Sequence, residues 1–365
     1  MPIELWKSGV AAPRAILNEA RRTEAAGWDG LMVVDSQNLS GDAYVALAMA
    51  ATVTERIGLG TGVTNSVTRV AAVTAGAIAS VHRVSDGRAT LGIGRGDSAL
   101  AHLGRAPGRV AHFERYLRHL QTYLRGESVP FDELQMPIEI APPMSALELA
   151  DAPPASRIDW IADLNRRLPK VLVEVAATGP RVIAIAALHA DRIMFALGAE
   201  PQRIAWGMQI ARDARLAAGL DPDGIRFGAY VQCAAHPDLQ IARDLVRGGT
   251  TTFARFSVMH GKTAAPVSES QGEVLDALRR NYDMRAHTRG DSRQAGVLTE
   301  AFIDRFAIVG PPEQVVARIE ELAALGLDKL SLTTVGRGTA EAQAERAREI
   351  LEREVLPCIN RQRAY

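Results

Sequence analysis

The chain is poor in the features that would name a function directly. It has two cysteines, Cys233 and Cys358, and neither belongs to a CxxC pair, so neither a zinc knuckle nor a disulfide framework is indicated. Aromatic residues make up only 5%, so the core must be built from Ala, Val, Leu and Ile within a 47% hydrophobic composition. Lys plus Arg equals Asp plus Glu at 42 each, which removes the electrostatic case for general nucleic-acid or membrane-surface binding. No run of about 18 apolar residues is present to span a bilayer. The start, MPIELWKSG, has no basic region followed by a long apolar one, so a cytoplasmic location is expected. The eight histidines show no metal-ligand spacing. GxSxG, Walker and HExxH motifs are missing, leaving hydrolase, NTPase and zinc-protease readings without support.

What is present is a long alternation of apolar runs and helical patterns. Strand-like runs occur at Ile3–Trp6, Gly30–Val34, Ile57–Gly60, Ala89–Ile93, Val171–Val175, Arg192–Ala196, Ile225–Cys233 and Lys329–Thr333. Helical patterns fill the gaps at Ala15–Ala26, Ala43–Thr52, Val73–Val84, Phe113–Leu124, Val182–His189, Pro201–Ala218, Leu239–Val246 and Thr339–Glu354. Eight such units over 365 residues predict one closed α/β domain, a (β/α)8 TIM barrel. An open doubly wound sheet is the rival. Its phosphate fingerprint would follow the first strand, where this chain has Lys7-Ser8-Gly9-Val10. Two segments break the rhythm, about 128–169 and 259–306, and both are expected at the carboxyl-terminal face of the strands. The second is basic, with Lys262, Arg279, Arg280, Arg285, His287, Arg289 and Arg293, which suits a cover over an anionic ligand or a solvated helical excursion.

Polar residues gather where the strands end. Asp35 and Asp97 follow the second and fourth strands, where a barrel places its site, although a helix cap or loop hydrogen bond would use the same residues. Glu4 lies inside an apolar strand and must be a core ion-pair member or a site acid. Three carboxylates converging on one face would mark a catalytic set. Gly62 allows a sharp turn and close approach to a flat ligand, and Thr64 and Asn65 add donors and acceptors. Thr178 caps, and Gly179 and Pro180 open, a helix after the fifth strand. With Leu197 and Gly198 from the next turn they form a phosphate-sized cradle, and Arg95 supplies a counter-charge. His102 follows the Asp97 turn, which suits a site residue less well than an ordinary surface or core histidine.

The stretches Gly60-Thr61-Gly62-Val63-Thr64-Asn65, Ser85-Asp86-Gly87-Arg88-Ala89-Thr90-Leu91-Gly92-Ile93-Gly94-Arg95-Gly96-Asp97 and Ala177-Thr178-Gly179-Pro180-Arg181 resemble the bacterial-luciferase-like superfamily. Within it the chain resembles the methylenetetrahydromethanopterin reductases and their actinobacterial relatives. The resemblance implies a barrel that binds coenzyme F420 or FMN at the carboxyl ends of its strands. It implies a cis Gly62–Val63 bond behind the cofactor ring. Asp35, Thr64, Asn65 and Asp97 would be ring-edge and substrate-side contacts, and Ala177, Thr178, Gly179, Leu197 and Gly198 the cradle. Glu4 matches an acidic first-strand residue of the reductase branch. Ser36 and Asp97 stand where the sugar-phosphate and alcohol dehydrogenases carry histidine and glutamate, which favours the reductase side. The Arg95 position is also basic in luciferase-type enzymes, where it meets the FMN phosphate.

The expected activity is therefore F420-dependent hydride transfer between the deazaflavin and a small organic substrate, of which a pterin is one candidate, in a homo-oligomer (dimer or tetramer). Asp97, Glu4 and Asp35 are the candidate proton carriers. The alternatives are an FMN-dependent monooxygenase served by a separate flavin reductase, and a non-catalytic flavin-binding relative.

Overall fold

The computed structural model describes residues 3–361 except Pro13, Gln135, His260, Lys262, Ala264, Val335 and Gly336. Lys262, counted above in the basic segment, thus lies outside the described residues. The strands are β1 (Glu4–Val10), β2 (Gly30–Val34), β3 (Gly58–Thr61), β4 (Thr64–Asn65), β5 (Ala89–Gly94), β6 (Leu172–Ala177), β7 (Arg192–Phe195), β8 (Arg226–Ala235), β9 (Ile308–Gly310) and β10 (Lys329–Thr333). The helices are α1 (Ala15–Ala25), α2 (Ala43–Ala51), α3 (Ala71–Val84), α4 (Ser98–Ala101), α5 (Val110–Leu124), α6 (Asp159–Leu164), α7 (Pro180–His189), α8 (Pro201–Ala217), α9 (Leu239–Phe256), α10 (Glu269–Asn281), α11 (Glu300–Phe306), α12 (Pro312–Ala324), α13 (Glu341–Ile350) and α14 (Leu356–Arg361). No described helix is long and apolar enough to cross a membrane.

Eight strands close into a parallel barrel in the order β1-β2-β3-β5-β6-β7-β8-β10, with β10 pairing back onto β1. All eight fall on predicted runs. The short β4 adds to β5, and β9 extends the end of β8. The barrel interior is filled by Trp6, Met32, Met194 and Tyr230. Gly30 and Gly58 face the Trp6 indole so closely that a Cβ on either would lie 2.3 Å from it. The ring occupies the space that two side chains would otherwise take.

The amino-terminal end of the barrel is charged rather than apolar. Lys329 Nζ donates to both Glu174 oxygens at 2.9 Å, and Arg192 donates to Glu174. The Lys329 ammonium lies 3.3 Å from the Trp6 ring centroid. Such a set holds together because every charge has an opposite partner.

The two long insertions part company. The segment around 128–169 connects the end of α5 to β6. Helices run antiparallel to the strands, so a helix-to-strand link must lie at the amino-terminal edge. There His82 Nε2 meets the Pro169 carbonyl at 2.9 Å and the Asn165 amide donates to the Leu124 carbonyl at 2.7 Å. The expectation that this insertion walls the carboxyl-terminal face is corrected. The second, 259–306, does lie at that face, behind the end of α9.

Candidate active site

The site begins where β3 stops. The Gly62–Val63 bond is cis. Gly62 N–H donates to the Val33 carbonyl at 2.7 Å, and a Cβ on Gly62 would come within 3.0 Å of Met32 Cβ. Pairing resumes only at β4, so Val63 is left out of the ladder and faces a cavity of about 720 Å3. That volume suits a cofactor-sized ligand. The cavity is also lined by Gly94, Ala176, Ala196, Pro107, Val110 and Phe256, all apolar or small.

The polar wall comes from two turns and one helix. Arg95 lines the cavity and its Nε donates to the Gly108 carbonyl at 2.7 Å. Burial lowers its pKa, and it has no carboxylate partner among the described residues. Thr178, Gly179 and Arg181, at the start of α7, line the same cavity. The N-cap is Gly179, not Thr178. No side chain caps this helix, and Thr178 Oγ1 donates to the Ala196 carbonyl at 3.4 Å instead. A helix start without a side-chain cap attracts anions.

Asp97 enters from the β5 turn. Its Oδ1 accepts a short contact from Arg255 Nη2 at the end of α9, while Oδ2 is buried without a hydrogen-bond partner. The Arg255 guanidinium lies 4.5 Å from the Tyr282 ring centroid and 5.7 Å from that of Phe256. Tyr282 Oη is 2.7 Å from His287 Nδ1 and 3.4 Å from Thr252 Oγ1. Burial pushes the His287 imidazole down to about 4, with Asp97 opposing and Arg255, His102 and Arg337 reinforcing, so the ring is neutral at physiological pH.

The luciferase-like monooxygenase family model matches residues 3–329. The chain belongs to this family, and it is an oxidoreductase. A 5,10-methylenetetrahydromethanopterin reductase of Methanolobus tindarius is 25% identical over 347 residues, covering 93% of this chain and 95% of that protein. The same enzyme from Archaeoglobus fulgidus is 26% identical, with 92% of each chain covered. The solved coenzyme F420-dependent tetrahydromethanopterin reductase of Methanopyrus kandleri superposes with a TM-score of 0.71 at 20% identity, covering 98% of this chain and 100% of that one.

Within this luciferase-like barrel the cavity gathers Val63, Arg95, Asp97, Thr178 and Gly179 of the residues singled out in the sequence. It does not gather the rest. Glu4 opens β1 at the far end of the barrel, so the three carboxylates do not converge. Its oxygens meet Arg192 Nη2 at 3.4 Å and Arg226 Nη2 at 3.3 Å, and accept from Trp6 Nε1 at 2.9 Å. Burial raises its pKa, but Arg192, Lys329, Trp6 and Arg226 outweigh that and hold it below the ordinary value. Asp35 is buried behind the wall, accepting from Thr64 Oγ1 and Arg69 Nη1, both at 2.6 Å. Asn65 Oδ1 accepts from the Val67 and Thr68 amides, closing its own turn. Ala177 is buried in β6 and does not line the cavity. Leu197 and Gly198 are sealed off. Arg203 Nε donates to the Leu197 carbonyl at 2.9 Å, and a Cβ on Gly198 would meet the Phe306 ring at 2.8 Å.

The roof residues Arg255, Phe256, Ser257 and Tyr282 had no signal at the level of motif. Helix α9 reads as ending at Val246, because Gly248-Gly249 and three threonines follow. It continues to Phe256 because that stretch is buried, which overrides weak helix propensity.

Proposed function

We propose that the chain is an F420-dependent oxidoreductase acting on a small organic substrate. One observation carries the reading. One cavity is lined by the apolar Val63 and Ala176, by an Arg95 without a carboxylate partner among the described residues, and by a helix start with no side-chain cap. That arrangement suits a flat ring with an anionic tail. The sealed Leu197–Gly198 turn leaves Arg95, Gly179 and Arg181 to hold the tail. Val63 would support the ring. When bound, the deazaflavin supplies a hydride. Asp97 lines the cavity and has a carboxylate oxygen, Oδ2, without a hydrogen-bond partner, which makes it the candidate for a substrate hydrogen bond or proton. The matched methylenetetrahydromethanopterin reductases support a pterin-like substrate.

The second reading, an FMN-dependent monooxygenase supplied by a separate flavin reductase, rests on Arg95, which suits a flavin phosphate equally well. Fluorescence titration of the purified chain with F420 and with FMN tests both. F420 binding at least about ten-fold tighter than FMN, on the order of 1.4 kcal/mol, is the expected result. Binding of FMN alone would overturn the deazaflavin reading in favour of the monooxygenase.

A further inference from the structure

We infer that Tyr282 and His287, both in the second insertion, are positioning residues that hold Arg255 on Asp97 and so fix the Asp97 carboxylate at the cavity wall. This rests on the reading of Asp97 as the substrate-side carboxylate.

Arg255 touches Asp97 through one nitrogen, and its Nε is buried with no hydrogen-bond partner. What else restrains the guanidinium is Tyr282, whose ring lies 4.5 Å away as a cation–π platform and whose hydroxyl it also reaches. The Tyr282 ring is fixed in turn through its hydroxyl, by His287 and Thr252. A neutral imidazole can share one hydrogen bond with the Tyr282 hydroxyl in either tautomer. The turn joining the two residues is itself stapled. The buried Gln294 accepts from Asp283 N–H at 3.3 Å and donates to the Asp283 and Ala286 carbonyls, both at 3.1 Å. The insertion thus reaches the cavity through a chain of contacts, Gln294 to the 283–287 turn, His287 to Tyr282, and Arg255 to Asp97.

The test reads Arg255 directly. The full chain is labelled with 15N-arginine, and its Arg255 Nε–H resonance is assigned by its loss in Arg255→Lys. A distinct signal is expected in the wild type. It should collapse to the averaged arginine position in Tyr282→Leu, and shift partway toward it in Tyr282→Phe and in His287→Leu, which keep the ring but lose its hydroxyl contacts, with the other arginine signals unmoved. An unchanged Arg255 signal in both Tyr282→Leu and His287→Leu overturns the inference. In the F420-loaded enzyme, reduction of 5,10-methylenetetrahydromethanopterin should fall by about ten- to a hundred-fold in Tyr282→Leu, the cost of a small misplacement, with F420 affinity unchanged. Because the resonance is read without cofactor, a wild type that fails to bind F420 overturns the cofactor reading alone.

Discussion

Arg69 holds Asp35 at 2.6 Å and reaches on to Asp42, the N-cap of α2, at 2.7 Å. This contact turns a candidate catalytic carboxylate into a rim clamp. Asp35 ties the end of β2 to the loop after β4, with Thr64 as its second donor.

Asp35→Asn should therefore act on stability before chemistry. The amide loses a charged hydrogen-bond acceptor facing a guanidinium, a cost of about 1.5–3 kcal/mol. Urea unfolding of the variant should show that loss while F420 affinity in the folded fraction stays near wild type. Normal stability with abolished turnover would return Asp35 to the catalytic set.

The barrel itself was legible because eight apolar runs alternate with eight helical patterns, and each of the eight barrel strands fell on its run, while the short β4 and β9 had none. The rim turns were legible too: Val63, Arg95, Asp97, Thr178 and Gly179 all meet at the cavity. Glu4 misled because an acid in a strand signals burial but not which end of the barrel it occupies. The cations around it, Arg192, Arg226 and Lys329, come from strands β7, β8 and β10, and no local pattern announces them. The roof was illegible for a similar reason. Arg255 lies 158 positions from Asp97, and Tyr282 and His287 sit in an insertion with no barrel periodicity.

The charged end of the barrel makes its own prediction. Lys329→Met leaves Glu174 with Arg192 alone in a fully buried position. Breaking one side of a buried pair costs about 3–5 kcal/mol, whereas replacing both sides is often nearly neutral. Lys329→Met should lower the urea midpoint sharply, and adding Glu174→Leu should restore part of it. A double variant worse than the sum of the two would show that the network, rather than the pair, is the stabilising unit.

Glu24 gives a pH signature. Its carboxylate accepts from the Glu55, Arg56 and Ile57 amides, the Arg56 bond being 2.7 Å, and so anchors the start of β3. Burial pushes its pKa up, but these backbone donors outweigh that and hold it below the ordinary 4.5. A carboxyl depressed in the folded state contributes stability that is complete above the unfolded value. That stability is lost as the pH falls through the folded one. Unfolding midpoints should hold down to about pH 5 and then decline, with a shallower decline in Glu24→Gln. Superimposable profiles for the two proteins would assign the acid limb to other carboxylates.

Arg95 carries the cofactor reading, and its removal is the sharpest test of it. The guanidinium spends its Nε on the Gly108 carbonyl, leaving the other nitrogens for a ligand. Charge-assisted contacts to a phosphate are among the strong hydrogen bonds, and losing one costs about 1.5–3 kcal/mol, roughly ten- to a hundred-fold in affinity. Arg95→Ala should weaken F420 by that factor and should flatten the salt dependence of binding. Arg95→Lys keeps the charge but not the fork geometry, so it should recover part of the affinity. Riboflavin, which has a flat ring and no phosphate, serves as the control ligand, and its affinity should not change in either variant. A thermal melt of Arg95→Ala checks that loss of the Gly108 contact has not loosened the turn. Equal weakening of F420 and riboflavin would mean that Arg95 shapes the cavity rather than holding an anionic tail, and the phosphate would then have to be sought at Gly179 and Arg181.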